Sequence, residues 1–289
     1  MISSVPTVRL AKYHGLGNDF LVMVVADGSA APGDDAHHVL AVASCDRHRG
    51  IGADGLLVCS VADAGSGADL RMRLRNADGS LAEMSGNGIR CFVHAALDAG
   101  LVQPGPVTVL TDGGLRVVDA GTPVDGVCYV DVAMGSATLG SIEFPVAVRA
   151  VIGERRAMTV DVGNPHIVIE AHPSTVDLTT FGPAVESWFL GTDLRGINVE
   201  VIGRSPEDGV LDMAVWERGV GITQACGTGA VASAFVAHAW GLAGTRTIVR
   251  QPGGDAVVVL EGGKATLVGL SQFICTADFA VPSEVSMYG

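Results

Sequence analysis

Basic and aromatic residues are scarce in this chain of 289 residues. Lys and Arg number 18 against 31 Asp and Glu, which gives a formal net charge of −13, and aromatic residues make up only 5%. Nucleic acids and anionic membrane surfaces are bound by clustered Lys and Arg. The sequence therefore predicts a protein that binds neither.

Long apolar runs are absent as well. No segment approaches the roughly 18 apolar residues of a membrane-spanning helix. The first residues also lack the basic stretch and following apolar segment of a secretory signal. We therefore expect a cytoplasmic globular protein, and its hydrophobic fraction of 48% is ample for a buried core.

Paired cysteines are missing too. The six cysteines include no Cys-x-x-Cys pair and no His neighbour at the spacing of a zinc site. In a reducing cytoplasm, free thiols are the ordinary state of such residues. We therefore expect no bound metal and six reduced thiols, at Cys45, Cys59, Cys91, Cys128, Cys226 and Cys275.

Glycine, by contrast, is abundant, at 39 residues. Short runs rich in Val, Ile and Thr, separated by Gly, Pro and Asp, predict many strands. Apolar residues at helical spacing predict helices over residues 36–45, 87–99, 180–188 and 227–240. Because the strands seldom alternate one for one with helices, the pattern favours an α+β fold with mostly antiparallel hairpins.

A weak internal repeat runs through the chain. A Gly-Asn pair occurs at 17–18 and 163–164, a glycine-rich helix start at 85–88 and 226–229, and a Gly-Gly turn at 113–114 and 253–254. The three pairs keep the same order and nearly the same spacing, which favours a duplication. We therefore expect two similar lobes, with a boundary near residues 121–126 and both helix starts at one cleft.

The two helix starts are candidate anion sites. A helix N-terminus offers free N–H groups and the positive end of its dipole, and glycines let a ligand approach the backbone. The second start superficially matches a dinucleotide-binding motif. However, Val249 and Arg250 stand where that motif needs an acid about 20 residues further on. A carboxylate therefore suits these short helix starts better than a nucleotide.

Cys226 caps the second of these helices. A thiol at a helix N-terminus ordinarily has a lowered pKa, so we expect the pKa of Cys226 to fall toward neutrality. A buried structural cysteine is the usual alternative, but the neighbouring glycine-rich start favours a functional thiol. Cys91 lies further inside the first helix and is expected in the core.

Seven short motifs resemble those of the diaminopimelate epimerases, in the same order. They are Lys-Tyr-His-Gly-Leu-Gly-Asn-Asp-Phe at 12–20, Asn-Ala-Asp-Gly-Ser at 76–80, Gly-Asn-Gly-Ile-Arg-Cys at 86–91, Val-Gly-Asn-Pro-His at 162–166, Gly-Ile-Asn-Val at 196–199, Glu-Arg-Gly-Val-Gly at 217–221 and Ala-Cys-Gly-Thr-Gly at 225–229. Each motif alone is weak, but together they span most of the chain.

The resemblance implies an isomerase that needs no cofactor and inverts one amino-acid centre of diaminopimelate. It also implies two lobes, each a mostly antiparallel β-roll or barrel around a central helix, with the active site in the cleft between them. The last strand of this fold returns to the first lobe, so the domains would be residues 1–126 with 272–289, and residues 127–271. Members of the family form homodimers.

The same resemblance implies roles for individual residues. Two residues on opposite faces of the substrate, Cys226 and the residue at position 85, would move the α-proton. The reacting end would be held by Gly86, Asn87, Gly227 and Thr228, and the distal amino-acid end by Asn18, Asn76, Asn164, Asn198, Glu217 and Arg218. His14 and His166 would be supporting residues. Taken singly, asparagines beside glycine are typical turn residues, and Glu217 with Arg218 is typical of a surface ion pair.

Two positions depart from the family pattern. The first catalytic thiol is replaced by Ser85, either by natural divergence or by substitution of an original cysteine, and its hydroxyl is a far weaker acid and a poor unaided base. A position that often holds glutamine is Gly55. Two alternatives to a diaminopimelate epimerase therefore stay open. One is a related racemase or dehydratase with Cys226 as its only base, and the other is a non-catalytic amino-acid-binding protein.

Overall fold

The computed structural model describes residues 6–25, 31–82, 84–140, 143–194 and 196–281. The chain forms two units, one of residues up to Val132 together with those from Leu270, the other of Ala133–Gly269. The predicted linker at 121–126 lies inside the first unit, between two of its strands. The ends of the predicted domains, at residues 1–5 and 282–289, lie outside the described residues.

The first unit is a ring of eight strands. Its elements are β1 (Thr7–Gly15), β2 (Asn18–Val24), α1 (Asp34–Cys45), β3 (Gly55–Val61), β4 (Leu70–Asn76), β5 (Leu81–Ala82), α2 (Gly86–Asp98), β6 (Gly105–Thr111), β7 (Gly114–Ala120), the first part of β8 (Val127–Ser136) and the last part of β17 (Lys264–Ala280). The ring runs β1-β2-β3-β4-β6-β7-β8-β17 and back to β1. Strands β2 and β3, and β4 and β6, are parallel.

The second unit repeats this plan. Its elements are β9 (Thr138–Leu139), α3 (Val146–Ile152), β10 (Ala157–Asp161), β11 (Pro165–Glu170), a 3-10 turn (Pro173–Thr175), α4 (Leu178–Leu190), β12 (Asn198–Arg204), β13 (Val210–Glu217), β14 (Gly221–Ile222), α5 (Gly227–Ala239), β15 (Arg246–Gln251), β16 (Gly254–Glu261) and the first part of β17. Strands β11 and β12, and β13 and β15, are parallel, and the hairpins match those of the first unit. The internal repeat is therefore confirmed.

A nearly fully buried helix lies at the centre of each unit. In α2 every residue from position 86 to 96 is buried, and the helix packs against β1, β2 and β3. In α5 most residues are Gly, Ala or Ser, which lets strands of its own unit pack closely around it. Small and apolar residues on most faces are typical of a helix that is buried on all sides. The predicted α+β fold, with a central helix in each lobe, is confirmed.

Two elements longer than three residues, β1 and α3, were not predicted from the sequence. The buried side chains of β1 are Val8, Leu10 and Tyr13, and a shift in its pairing with β17 between Lys12 and Tyr13 breaks the alternation of buried and exposed residues. Helix α3 spans seven residues and buries only two of them. Neither element therefore shows a clear period in the sequence.

The four predicted helices are all present, each within two residues of its predicted end. No helix formed by the described residues is long and apolar enough to span a membrane. All six cysteines are free thiols. Cys91 is completely buried inside α2, as predicted.

Candidate active site

Helix α2 begins at a serine cap. The Ser85 backbone is extended, and its Oγ accepts a hydrogen bond from the Gly88 N–H at 3.0 Å. A Cβ on Gly88 would lie 3.0 Å from Ser85 Cβ and 3.4 Å from the ring of Phe20. The first residues of the helix, Gly86 and Asn87, are buried. The tight packing explains why glycine is needed at position 88.

The amide side chains of the first unit form a connected set. Asn87 Nδ2 donates to Asn18 Oδ1 at 3.3 Å, and Asn18 Nδ2 donates to Asp54 Oδ2 at 2.6 Å. Asp54 is held in turn by the guanidinium of Arg47 at 2.8 Å. The guanidinium of Arg90 donates to Asn87 Oδ1, and its complete burial lowers its pKa to about 10. These contacts fix the orientation of Asn18 and Asn87 beside the start of α2.

His14 and Asn76 have local contacts in the first unit. His14 Nδ1 accepts a hydrogen bond from the Gly17 N–H at 3.3 Å, within the tight turn before Asn18. Asn76, at the end of β4, donates from Nδ2 to Ser80 Oγ at 3.0 Å and is exposed. The structure thus places His14 against the turn that carries Asn18, and Asn76 in a turn of its own.

Helix α5 begins at a cysteine cap with the same geometry. Cys226 Sγ accepts a hydrogen bond from the Gly229 N–H at 3.3 Å and lies 3.5 Å from Thr228 Oγ1. The Cys226 N–H donates to Gln251 Oε1 at 2.7 Å. Only 5% of Cys226 is exposed. The residue is thus held at the helix start by two contacts of its thiol and one of its backbone N–H.

The prediction of a lowered pKa for Cys226 is wrong. Burial raises the pKa of Cys226 well above its ordinary value, and the carboxyl groups of Glu217 and Glu200 raise it further. The hydrogen bonds from Thr228 and Gly229 lower the pKa, but they are the smaller influences. Desolvation and negative neighbours both disfavour a thiolate, and here they outweigh the helix N-terminus. At neutral pH Cys226 is therefore a protonated thiol.

A buried histidine links the second Gly-Asn turn to a buried acid. His166 Nδ1 lies 2.7 Å from Glu200 Oε1, and its Nε2 lies 2.9 Å from Asn164 Oδ1. Asn164 Nδ2 points to Thr228 Oγ1 at 3.5 Å. His166 and Glu200 are both fully buried. The sequence indicated the histidine and the asparagine but not the acid.

The remaining residues of the predicted set are Asn198, at the start of β12, and Glu217 and Arg218, at the end of β13 and in the turn that follows it. Asn198 Nδ2 donates to the Pro165 carbonyl at 2.9 Å, and its Oδ1 accepts from the Arg218 N–H at 3.0 Å. The Arg218 guanidinium is exposed and donates to the Leu194 carbonyl at 3.1 Å. The two residues Glu217 and Arg218, both described, form no ion pair with each other, so the surface-pair interpretation fails.

The carboxyl group of Glu217 faces the thiol site instead. Burial raises the pKa of Glu217, and the charge of Glu200 adds to this rise. Hydrogen bonds with the Thr223 hydroxyl and with the Cys226 thiol act in the opposite direction. Glu217 and Cys226 therefore lie close enough for each to change the acidity of the other.

Contacts around the start of α2 join Ser85, Asn87 and Asn18, and contacts around the start of α5 join Cys226, Thr228, Asn164 and His166. The contacts of Asn76 and Arg218 are instead with Ser80 and with the Leu194 carbonyl. Five polar residues that contact these sets were missed by the sequence analysis: Asp54, Arg90, Glu200, Thr223 and Gln251. Glu200 alone had a usable signal, because it is a single acid inside the apolar strand β12. Asp54 and Gln251 are distant in sequence from the residues that they contact, whereas Arg90 and Thr223 lie three and six residues from theirs.

The described residues hold no cluster of three or more His, Cys, Asp or Glu side chains with the geometry of a metal site. Position 55 is one of the two at which the sequence departs from the family pattern. A Cβ on Gly55 would lie 2.7 Å from the Arg75 carbonyl oxygen and 3.4 Å from the ring of Phe20. The backbone of β4 therefore leaves no room for a side chain at position 55 in this chain.

Comparisons with known proteins agree with the motifs. The family model described as diaminopimelate epimerase matches residues 10–140 and 158–270. The diaminopimelate epimerase of Desulfitobacterium hafniense is 39% identical over 87% of this chain and 90% of its own length. That of Mycolicibacterium vanbaalenii is 36% identical over 94% and 97%.

A solved structure shows the same fold at low identity. The probable proline racemase from Agrobacterium radiobacter superposes with a TM-score of 0.74 at 19% identity, over 96% of this chain and 94% of that one. The family model covers most of the chain, and the relatives exceed a third identity over nearly its whole length. The chain belongs to the diaminopimelate epimerase family and is an isomerase of the epimerase type.

Proposed function

We propose that this protein converts L,L-diaminopimelate to meso-diaminopimelate by removing the α-proton on one face and returning a proton on the other. One observation carries the proposal. Helices α2 and α5 begin alike, with an extended cap residue whose side chain accepts from the N–H three positions on. Removal of a proton on one face of a carbon and its return on the other uses two proton-moving groups, and the duplicated chain has one such cap in each unit.

The reacting end of the substrate is a carboxylate, which suits these helix starts. The N–H groups at Gly86 and Asn87, and at Gly227 and Thr228, lie in the first turns of the two helices, where the dipole favours negative charge. In the proposed reaction they bind the α-carboxylate and stabilise the charge that develops as the proton leaves. This stabilisation takes the place of an organic cofactor.

The distal amino-acid end is a zwitterion and needs both donors and acceptors. We assign the Arg218 guanidinium to its carboxylate and the Glu217 carboxyl to its ammonium group. Four asparagines complete this part of the proposed site: Asn18, Asn76, Asn164 and Asn198. Three of them already have fixed amide orientations, which lowers the cost of ordering them when a ligand binds.

The proton transfers are unequal in this chain. Cys226, in its minor thiolate form, removes the α-proton and becomes a thiol, while the Ser85 hydroxyl donates its proton to the opposite face of the carbanion and becomes an alkoxide. Ser85 stands at the place of the second thiol, and its hydroxyl is much the weaker acid. After Ser85 donates, the alkoxide has to be protonated again before the next turnover. The proposal is therefore a slow epimerase that uses Cys226 and Ser85.

The same proposal includes a cytoplasmic homodimer. The dimer and the compartment follow from the family resemblance and stay predictions.

Replacement of the thiol tests the proposal. We expect Cys226→Ala to lower epimerisation of L,L-diaminopimelate by at least about a hundredfold, the usual contribution of a general acid or base. Its melting temperature should change little, because one small side chain is removed. Cys275→Ser, a half-buried thiol on β17, is the control and should keep full activity. Retention of most activity by Cys226→Ala would exclude the assigned role.

A further inference from the structure

Two buried polar residues of the second unit occupy places that are apolar in the first. In the parallel pair β11–β12, His166 lies opposite Asn198, and Glu200 lies two residues further on, opposite Val168. In the equivalent pair β2–β3, Phe20 lies opposite Gly55, and Leu57 lies two residues further on, opposite Val22. The duplication therefore matches His166 with Phe20 and Glu200 with Leu57.

In each unit one residue of the compared set packs against the third residue of the central helix, Phe20 in the first unit and Glu200 in the second. A Cβ on Gly88 would meet the Phe20 ring at 3.4 Å, and a Cβ on Gly229 would meet Glu200 Oε1 at 2.8 Å. Burying a charged or polar pair costs desolvation energy, and well-packed apolar residues often stabilise a fold equally well or better. Phe20 and Leu57 are well-packed apolar residues at these positions in the first unit. Stability of the fold alone therefore does not explain why the second unit has His166 and Glu200 there.

A chain of contacts leads from the buried acid to the thiol. Glu200 Oε1 contacts His166 Nδ1 at 2.7 Å, and His166 Nε2 contacts Asn164 Oδ1 at 2.9 Å. Asn164 Nδ2 then reaches Thr228 Oγ1 at 3.5 Å, which is itself 3.5 Å from Cys226 Sγ. Both ring nitrogens of His166 thus face oxygen atoms, one of Glu200 and one of Asn164. This arrangement fixes which end of the Asn164 amide faces the helix start.

We propose that Glu200 is a positioning residue. It holds the His166 ring in the orientation that turns the Asn164 NH2 group toward Thr228 and the ligand. The inference rests on the proposed function, because it concerns how the assigned substrate residue Asn164 is oriented. Glu200 itself touches no substrate in this proposal, and it lies outside the sequence motifs.

Replacement of His166 and Glu200 by the apolar residues of the first unit distinguishes a positioning role of Glu200 from a structural one. The double variant His166→Phe/Glu200→Leu copies the first unit, so its melting temperature should be equal to or above that of the parent chain. Its KM for diaminopimelate should rise by roughly tenfold, the effect of losing one well-placed polar contact, with a much smaller change in kcat. Glu200→Gln, which keeps the shape of the side chain, should raise KM in the same direction.

Coupling to Asn164 completes the kinetic test. Asn164→Ala should raise KM roughly tenfold in the parent chain but little further in the double variant, because residues that act as a unit are not additive. Ser233→Ala, which removes another buried hydroxyl from α5 outside this chain of contacts, is the control and should leave KM unchanged. An unchanged KM in the double variant, or a full additional effect of Asn164→Ala, would overturn the proposal.

A spectroscopic measurement without substrate keeps this test distinct from that of the function. In 15N-histidine-labelled protein, Glu200→Gln should shift the Nδ1 and the Nε2 signals of His166 together, because one nitrogen contacts Glu200 and the other Asn164. An unshifted Nε2 signal would overturn the positioning role even in an active enzyme. Absence of any turnover of diaminopimelate by the parent chain would overturn the proposed function, while these signals still decide the role of Glu200.

Discussion

Cys226 experiences opposing influences on its acidity. The Gly229 N–H and the Thr228 hydroxyl favour the thiolate, whereas burial and the carboxyl groups of Glu217 and Glu200 favour the thiol. The sequence alone indicates the helix cap, since the glycine-rich start follows it directly. It does not indicate the desolvation or the acid on β12, because both arise from packing between segments that are far apart in the chain. The predicted pKa was therefore wrong although the predicted position was right.

Removal of one negative neighbour should make this thiol more acidic. Glu217→Gln should lower the pKa of Cys226, because the charge of Glu217 is one cause of the rise. At a fixed mildly alkaline pH, the thiolate fraction and the rate of alkylation by iodoacetamide should both increase several-fold. The rate is measured on Cys226 by mass spectrometry. Glu207→Gln, at an exposed ion pair with Arg250, is the control. An equal or slower rate in Glu217→Gln would contradict this electrostatic account.

Gly55 is a second residue whose meaning changes with the structure. In the sequence, Gly55 stands where the family often has glutamine. In the fold, a side chain at this position would clash with the Arg75 carbonyl oxygen. We expect Gly55→Gln to lower the free energy of unfolding by about 1–3 kcal/mol, the usual cost of overpacking. Gly33→Ala is the control, because a Cβ there meets no atom within 4 Å. Denaturant unfolding measures both, and an unchanged stability of Gly55→Gln would show that β4 yields easily.

At the scale of elements, helices α2 and α5 were the most predictable. Each has a small polar cap, glycines in the first turn and a long buried run, which together mark a helix start and a central position. Strand β1 and helix α3 were not predicted, because a shifted register breaks the period of one and the other spans only seven residues. Predictability thus followed the length and regularity of the buried face.

The likeness of the two caps makes a cysteine at position 85 easy to accommodate. Cys226 already accepts the same N–H bond at the start of α5, so Ser85→Cys should keep the cap of α2 and the melting temperature. A thiol is a far better acid and base than a hydroxyl, so epimerisation should rise at least about tenfold. A steady-state assay with L,L-diaminopimelate measures the change. An equal or lower rate would show that residue 85 is not the second proton-moving group.

At the scale of the whole molecule, the duplication was visible in the sequence and its differences were not. Repeated Gly-Asn, Ser/Cys-Gly and Gly-Gly motifs predicted two similar units, and the strand pairings match one for one. The exchange of Phe20 and Leu57 for His166 and Glu200 became evident only when the registers of β2–β3 and β11–β12 were compared. Motifs shared by the two halves reveal the duplication, but they do not reveal positions such as 166 and 200, where the two halves differ.

We propose that this chain inverts the α-carbon of diaminopimelate through proton exchange. Incorporation of deuterium from the solvent measures this exchange. Purified protein is incubated with L,L-diaminopimelate in heavy water, and the product is resolved by stereoisomer and by mass. Our account predicts meso product that carries one solvent deuterium at the inverted carbon. Deuterium uptake or elimination without inversion would contradict it in favour of a related racemase or dehydratase with a single base. Binding without any exchange would contradict it in favour of a non-catalytic amino-acid-binding protein.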